Sequence, residues 1–172
     1  MNHDSYSEAY IREILTSCKV FAIAGASANP VRPSYFVQKY LLAKGYEVIP
    51  VNPGQAGNLI AGQLVYASLS EIPQPVNVVD IFRNSKAALE ITKEAIAIGA
   101  KVVWMQLGVR NDEAARIAEA AGLKVVMNRC PKIEYGRLSG EIGWAGVHTR
   151  TLSSQRAVLG TGGYQKLSIR KT

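Results

Sequence analysis

An apolar run, Val20-Phe21-Ala22-Ile23-Ala24, stops at Gly25-Ala26-Ser27, and Pro33 then opens a helical pattern. This layout suits a phosphate. Glycine lets the backbone approach an anion closely, the amides after it can donate, and the N-terminus of the next helix adds positive partial charge. Ser27 supplies a hydroxyl. Arg32 supplies a guanidinium, which grips phosphate in a forked geometry that lysine lacks. The loop is Gly-x-Ser and not Gly-x-Gly-x-x-Gly, so its spacing does not prescribe a nicotinamide dinucleotide.

The second apolar run ends Ile49-Pro50-Val51-Asn52-Pro53. A dinucleotide fold usually places Asp or Glu about twenty residues past the glycine loop, to hold the ribose hydroxyls. Here Asn52 stands at that point, and it would not repel a phosphorylated ribose. The choice tilts toward a ligand with a phosphate near its adenosine ribose, such as coenzyme A or NADP.

The elements that must position these residues alternate. Helices are expected over 6–17, 33–44, 85–98 and 111–121. Strands are expected over 20–25, 46–51, 76–82, 102–105 and 123–127, with a brief strand near 64–66 and one helical turn over 68–72. The strands are continuous Val/Ile runs, and the connections are short. The fold class is therefore α/β and Rossmann-like, with a parallel sheet of about five strands and helices on both faces. Ligands of such sheets sit outside the carboxyl ends of the strands. The candidates there are Gly25, Ser27, Asn29, Arg32 and Pro33, then Asn52 and Pro53, then Asp80, Arg83, Asn84 and Ser85. Gln106, Gly108 and Arg110 follow, then Asn128, Arg129, Cys130 and Pro131. Phe82 either lies against a ligand ring or fills space under the loop. Asp80 accepts either from the first loop or from a ligand amine. From Gly136 onward the chain is rich in Gly, Ser, Thr and Arg, with short strands expected between Leu138 and Val158 and a turn over 159–163.

The chain has 172 residues, 48% of them hydrophobic, and a formal net charge of +7. Residues 137–172 hold six Lys/Arg and one acidic residue, a net of +5, so the body is nearly balanced and the end is basic. No stretch approaches the roughly eighteen apolar residues of a membrane span. The opening residues lack a signal-peptide pattern, so a cytoplasmic location is expected. Two distant cysteines, Cys18 and Cys130, read as reduced thiols. Two histidines without a C-x-x-C pair argue against zinc, and no metal site is expected.

Five stretches together carry a resemblance. They are Ala24-Gly25-Ala26-Ser27 with Arg32-Pro33-Ser34, Ile49-Pro50-Val51-Asn52-Pro53 and Val79-Asp80-Ile81-Phe82-Arg83-Asn84-Ser85. Trp104-Met105-Gln106-Leu107-Gly108 and Val126-Met127-Asn128-Arg129-Cys130-Pro131 complete the series. In that order, over about residues 8–138, the chain resembles the small stand-alone coenzyme A-binding proteins of bacteria and archaea. Their domain is similar to the nucleotide-binding domain of the succinyl-coenzyme A synthetase alpha subunit.

The resemblance implies coenzyme A as cofactor. It places the pyrophosphate over Gly25, Ala26, Ser27, Asn29, Arg32 and Pro33, and the adenosine end near Asn52 and Pro53. The pantetheine arm falls near Phe82, Arg83 and Gln106, with Gly108, Asn128 and Cys130 completing the site. It implies a coenzyme A-binding domain over 1–138 and leaves 139–172 as a basic extension outside the family pattern. The synthetase uses a phosphorylated histidine in a second domain. Neither His3 nor His148 lies in a matching context, so no catalytic residue is carried over.

The expected function is binding of coenzyme A or an acyl-coenzyme A as carrier, sensor or store. Cys130 is either an inert loop cysteine or, with Arg129 beside it favouring its thiolate, a partner for a mixed disulfide with the coenzyme A thiol. One alternative is an NADP-dependent oxidoreductase, for which the strand ends offer no convincing proton donor. Another is a nucleic-acid or protein interaction module using the basic extension, with Trp144 and Tyr164 as stacking residues. Six cations over 36 positions are thin for nucleic acid, so that partner is not expected. The apolar stretch Gly143 to Val147 points to a homodimer contact.

Overall fold

A computed structural model describes residues 2–141. The expectations for His148, Trp144, Tyr164, the stretch 143–147, the turn at 159–163 and the short strands beyond 141 lie outside these residues.

Helix α1 (Glu8–Ser17) begins where the Ser7 hydroxyl accepts from the Tyr10 amide. Strand β1 (Val20–Ala24) follows, then α2 (Pro33–Ala43) and β2 (Glu47–Val51). Two short strands, β3 (Leu59–Ile60) and β4 (Gln63–Leu64), form an antiparallel hairpin. The brief strand expected over 64–66 is therefore the second arm of this hairpin, and Tyr66 makes only an isolated parallel bridge to Val51. Next come β5 (Val78–Ile81), α3 (Ala88–Ala97), β6 (Val102–Met105), α4 (Asp112–Ala120), β7 (Lys124–Val126) and α5 (Pro131–Ser139).

The sheet order is β2-β1-β5-β6-β7, all parallel. The fold class expected from sequence is confirmed. Side-chain alternation along the strands makes two cores. Ala22, Ala24, Val79, Ile81, Val103 and Met105 face the alanines of α3 and α4. Phe21, Ile23, Val78, Trp104 and Val126 face α1, α2 and α5. Trp104 is fully buried there, and its indole N–H donates to the Arg129 carbonyl at 2.8 Å.

Helix α5 was not expected, and Leu138 and Ser139 are helical where short strands were anticipated. Pro131 occupies its first position and Gly140 ends it in the left-handed region at φ +85°. Gly136 is buried within it.

The edge strand β7 is closed by tyrosines of the N-terminal region. The Tyr10 hydroxyl accepts from Val125 N–H at 3.0 Å and donates to the Val125 carbonyl at 3.1 Å. The Tyr6 hydroxyl accepts from Met127 N–H at 2.7 Å. A free sheet edge is thereby occupied without another strand. His3 is buried beside them, its Nδ1 3.0 Å from the Tyr6 hydroxyl and its Nε2 3.4 Å from Glu119. No helix among the described residues is long and apolar enough to cross a membrane, and no metal-holding cluster occurs among them.

Candidate functional site

The chain reverses its direction of travel across the sheet between β1 and β5, which makes a crevice at their carboxyl ends. The sheet register fixes what stands there. Ala24 pairs with Val51 and Ile81, Ile81 pairs with Met105, and Trp104 pairs with Val126. One residue past the paired region, the same register brings Asn52, Gly25, Phe82, Gln106 and Asn128 into one row. All five were among the residues picked from sequence.

Gly25 has φ +93°, and a Cβ on it would stand 2.8 Å from the Phe82 carbonyl oxygen and 2.7 Å from Arg83 Cδ. The first loop thus packs directly against the segment after β5, with Phe82 N–H donating to the Ala24 carbonyl at 2.8 Å. The amides of Gly25 and Ala26 both donate to the Val51 carbonyl, at 3.0 and 3.2 Å. They are spent on holding the loop. The Ser27 hydroxyl accepts from Asn29 N–H, and the Asn29 side chain accepts from Val31 N–H. The amides of Ser27 and Ala28 have no hydrogen-bond partner among the described residues. The N-cap of α2, Arg32, makes no side-chain cap, and Pro33 has no N–H to satisfy. An anion at this point would meet two loop amides and an uncapped helix end.

Asn52 joins the first and second loops. Its Nδ2 donates to the Ala26 carbonyl at 2.8 Å, and its Oδ1 accepts from Gly54 N–H at 2.9 Å, at the start of a 3-10 turn over Pro53–Gln55. Asn128 does the same at the other side of the sheet. It sits at φ +53°, and its Oδ1 accepts from Gly108 N–H at 2.8 Å. Ser85 accepts from Arg110 N–H at 3.1 Å, and Asn84 accepts from Ala87 N–H at 3.0 Å. These bonds consume the polar groups ahead of α3, which starts at Ala88 and not at Ser85.

The strand-end arginines divide into two sets. Arg110 pairs with Asp4 at 2.8 Å and with Asp112 at 3.1 Å. Arg129 donates to the Asp4 carbonyl, faces Glu134 at 3.8 Å and lies over the Tyr6 ring. Arg32 and Arg83 are exposed and have no ion pair among the described residues. Both remain available to an anionic ligand.

The structure corrects two readings. Cys130 is buried, and burial pushes its thiol up from the ordinary value. The Ile133 and Lys132 amides pull the other way without overcoming that burial, and Asp80 adds to the upward push. The expected thiolate is therefore not favoured. Asp80 lies within β5, fully buried beneath Gln106, and burial holds its carboxyl well above the usual carboxylate range. It is not placed to meet an amine in solvent. The loop amides of Ser27 and Ala28 were not separable in sequence from those of Gly25 and Ala26. The signal for them is the absence of a capping side chain at Arg32.

The chain is similar to several known proteins. The chain is 37% identical over 129 residues to the uncharacterized protein YneT of Bacillus subtilis, covering 75% of this chain and 94% of that one. A hypothetical protein of Pyrococcus horikoshii has a solved structure that superposes with a TM-score of 0.75 at 43% identity, over 80% of this chain and 96% of that one. The alpha subunit of an ADP-forming acetate–CoA ligase of Pyrococcus furiosus is 36% identical over 95 residues, 53% of this chain. The match takes in only 21% of that subunit's length. The model of the CoA binding domain family matches residues 19–136, and this chain belongs to that family.

Proposed function

We infer that the protein binds coenzyme A or an acyl-coenzyme A and serves as a carrier, sensor or store of that cofactor. One observation carries the reading. The crevice between β1 and β5 combines two unpartnered loop amides, an uncapped helix end and two arginines without ion pairs. Coenzyme A offers a pyrophosphate and a ribose phosphate to such a surface. In this reading Ser27, Ala28 and Arg32 hold the pyrophosphate, with Gly25, Ala26, Asn29 and Pro33 shaping the loop. Asn52 and Pro53 border the adenosine. Phe82, Arg83 and Gln106 line the pantetheine arm, and Gly108, Asn128 and Cys130 border its far end.

A cytoplasmic location, homodimerisation and the division into a domain over 1–138 and an extension over 139–172 belong to the same proposal. Sedimentation tests the assembly. Titration of the protein with coenzyme A, before and after removal of 142–172, tests whether the extension takes part. Binding of coenzyme A with no response to NAD or NADP is the expected result. Dinucleotide binding without coenzyme A would transfer the site to an oxidoreductase.

A further inference from the structure

Asp80 is fully buried, and the hydrogen bonds to its carboxyl both come from one atom. Nε2 of Gln106 stands 3.0 Å from Oδ1 and 3.0 Å from Oδ2. Both bonds run from the Gln106 amide to carboxyl oxygens, which holds the amide nitrogen inward and turns Oε1 of Gln106 away from Asp80. Gln106 is itself only 6% exposed, and its Oε1 has no hydrogen-bond partner among the described residues. Unlike Oε1 of Gln38, which is buried without a partner, Oε1 of Gln106 reaches solvent, where a ligand donor can take the place of water. Gln106 shares the strand-end row with Gly25 and Phe82, at the mouth of the crevice.

We propose that Asp80 is a positioning residue. It fixes the Gln106 side chain so that Oε1 presents an acceptor to an N–H, O–H or S–H donor of the bound ligand. This deepens the coenzyme A reading and rests on it. The site then discriminates by hydrogen-bond polarity at Gln106, favouring a ligand that donates there over one that offers only acceptors.

A double-mutant cycle tests the proposal with coenzyme A as the probe. Asp80→Asn can both donate and accept, so it no longer dictates the Gln106 orientation. Gln106→Leu removes the acceptor. Each variant is expected to weaken binding about fivefold to tenfold, the scale of one hydrogen bond. The pair together is expected to be no weaker than Gln106→Leu alone, because Asp80 acts only through Gln106. Additive losses, or an Asp80→Asn affinity equal to the parent's, would overturn it.

A measurement without ligand separates this from the functional reading. By NMR, the Gln106 side-chain amide protons should exchange slowly with solvent in the parent and quickly in Asp80→Asn. Fast exchange in the parent overturns the positioning role. Slow exchange with no coenzyme A binding leaves the Asp80–Gln106 geometry intact and overturns the ligand assignment.

Discussion

The Arg83 side chain lies across Gly25. Its Cδ is 2.7 Å from where a Cβ on that glycine would stand, and the Phe82 carbonyl oxygen is 2.8 Å from the same point. The first loop and the segment after β5 therefore close on each other through a position that has no room for a side chain. Gly25 also adopts φ +93°, a conformation that costs an alanine about 1 kcal/mol or more. Arg83 can swing aside, but a backbone carbonyl cannot do so cheaply. Gly25→Ala should destabilise the fold by roughly 2–3 kcal/mol and weaken ligand binding with it. Urea denaturation read by circular dichroism checks the first. An unchanged midpoint would show that the two segments separate freely.

The hydroxyl of Tyr10 holds both edge-facing backbone groups of Val125. Tyr10→Phe should cost about 1 kcal/mol, since one hydroxyl serves two bonds and water reaches part of the site. Burial pushes the Tyr10 phenol up to about 12 from its ordinary 10.0. A raised folded value means this contribution is complete below pH 10 and is lost as the pH climbs through about 12, because the unfolded chain releases the proton more easily. Stability should therefore fall above pH 10, and less steeply in Tyr10→Phe. Equal slopes in the two proteins would rule out Tyr10 as a source.

Asp80 gives the opposite kind of test. Burial raises its carboxyl above the ordinary 3.8, so its favourable share of stability is complete below that value and is lost as pH rises through the folded value. Asn carries no such penalty. Asp80→Asn should gain stability relative to the parent as pH is raised from 4 to 8, measured as the difference in thermal midpoint. A difference that stays flat with pH would show that Asp80 does not ionise in that range.

Cys130 should be slow toward a disulfide reagent in the native protein and fast after denaturation, because burial both covers the thiol and disfavours its anion. Reaction with 5,5′-dithiobis(2-nitrobenzoate), with Cys18→Ser removing the second thiol, measures this. Rapid reaction in the native state would restore the mixed-disulfide option.

Much of the fold was legible because buried parallel strands write themselves as unbroken Val/Ile runs. β6 was located to the residue, and the glycines after α3 and α4 marked their ends. The strand-end row was legible for the same reason, since polar residues begin where the apolar runs stop. Helix α5 was hidden. Its N-cap is Cys130, which makes no side-chain cap, and its interior carries Gly136, which lowers helix propensity by about 1 kcal/mol against alanine. Arg129 misled because adjacent residues in extended backbone point to opposite sides, so neighbours in sequence need not be neighbours in space. Arg129 reaches toward the N-terminal segment while Cys130 turns inward. The strands β3 and β4 have two residues each, too few for any periodicity.

The most direct test of the central claim is native mass spectrometry of the purified protein, followed by calorimetric titration with coenzyme A, acetyl-coenzyme A, NADP and NAD. The account predicts one coenzyme A or acyl-coenzyme A bound per chain, weakened by Arg32→Ala and Arg83→Ala and by added salt, with no dinucleotide binding. Binding of a dinucleotide alone, or coenzyme A binding indifferent to both arginines, would contradict it.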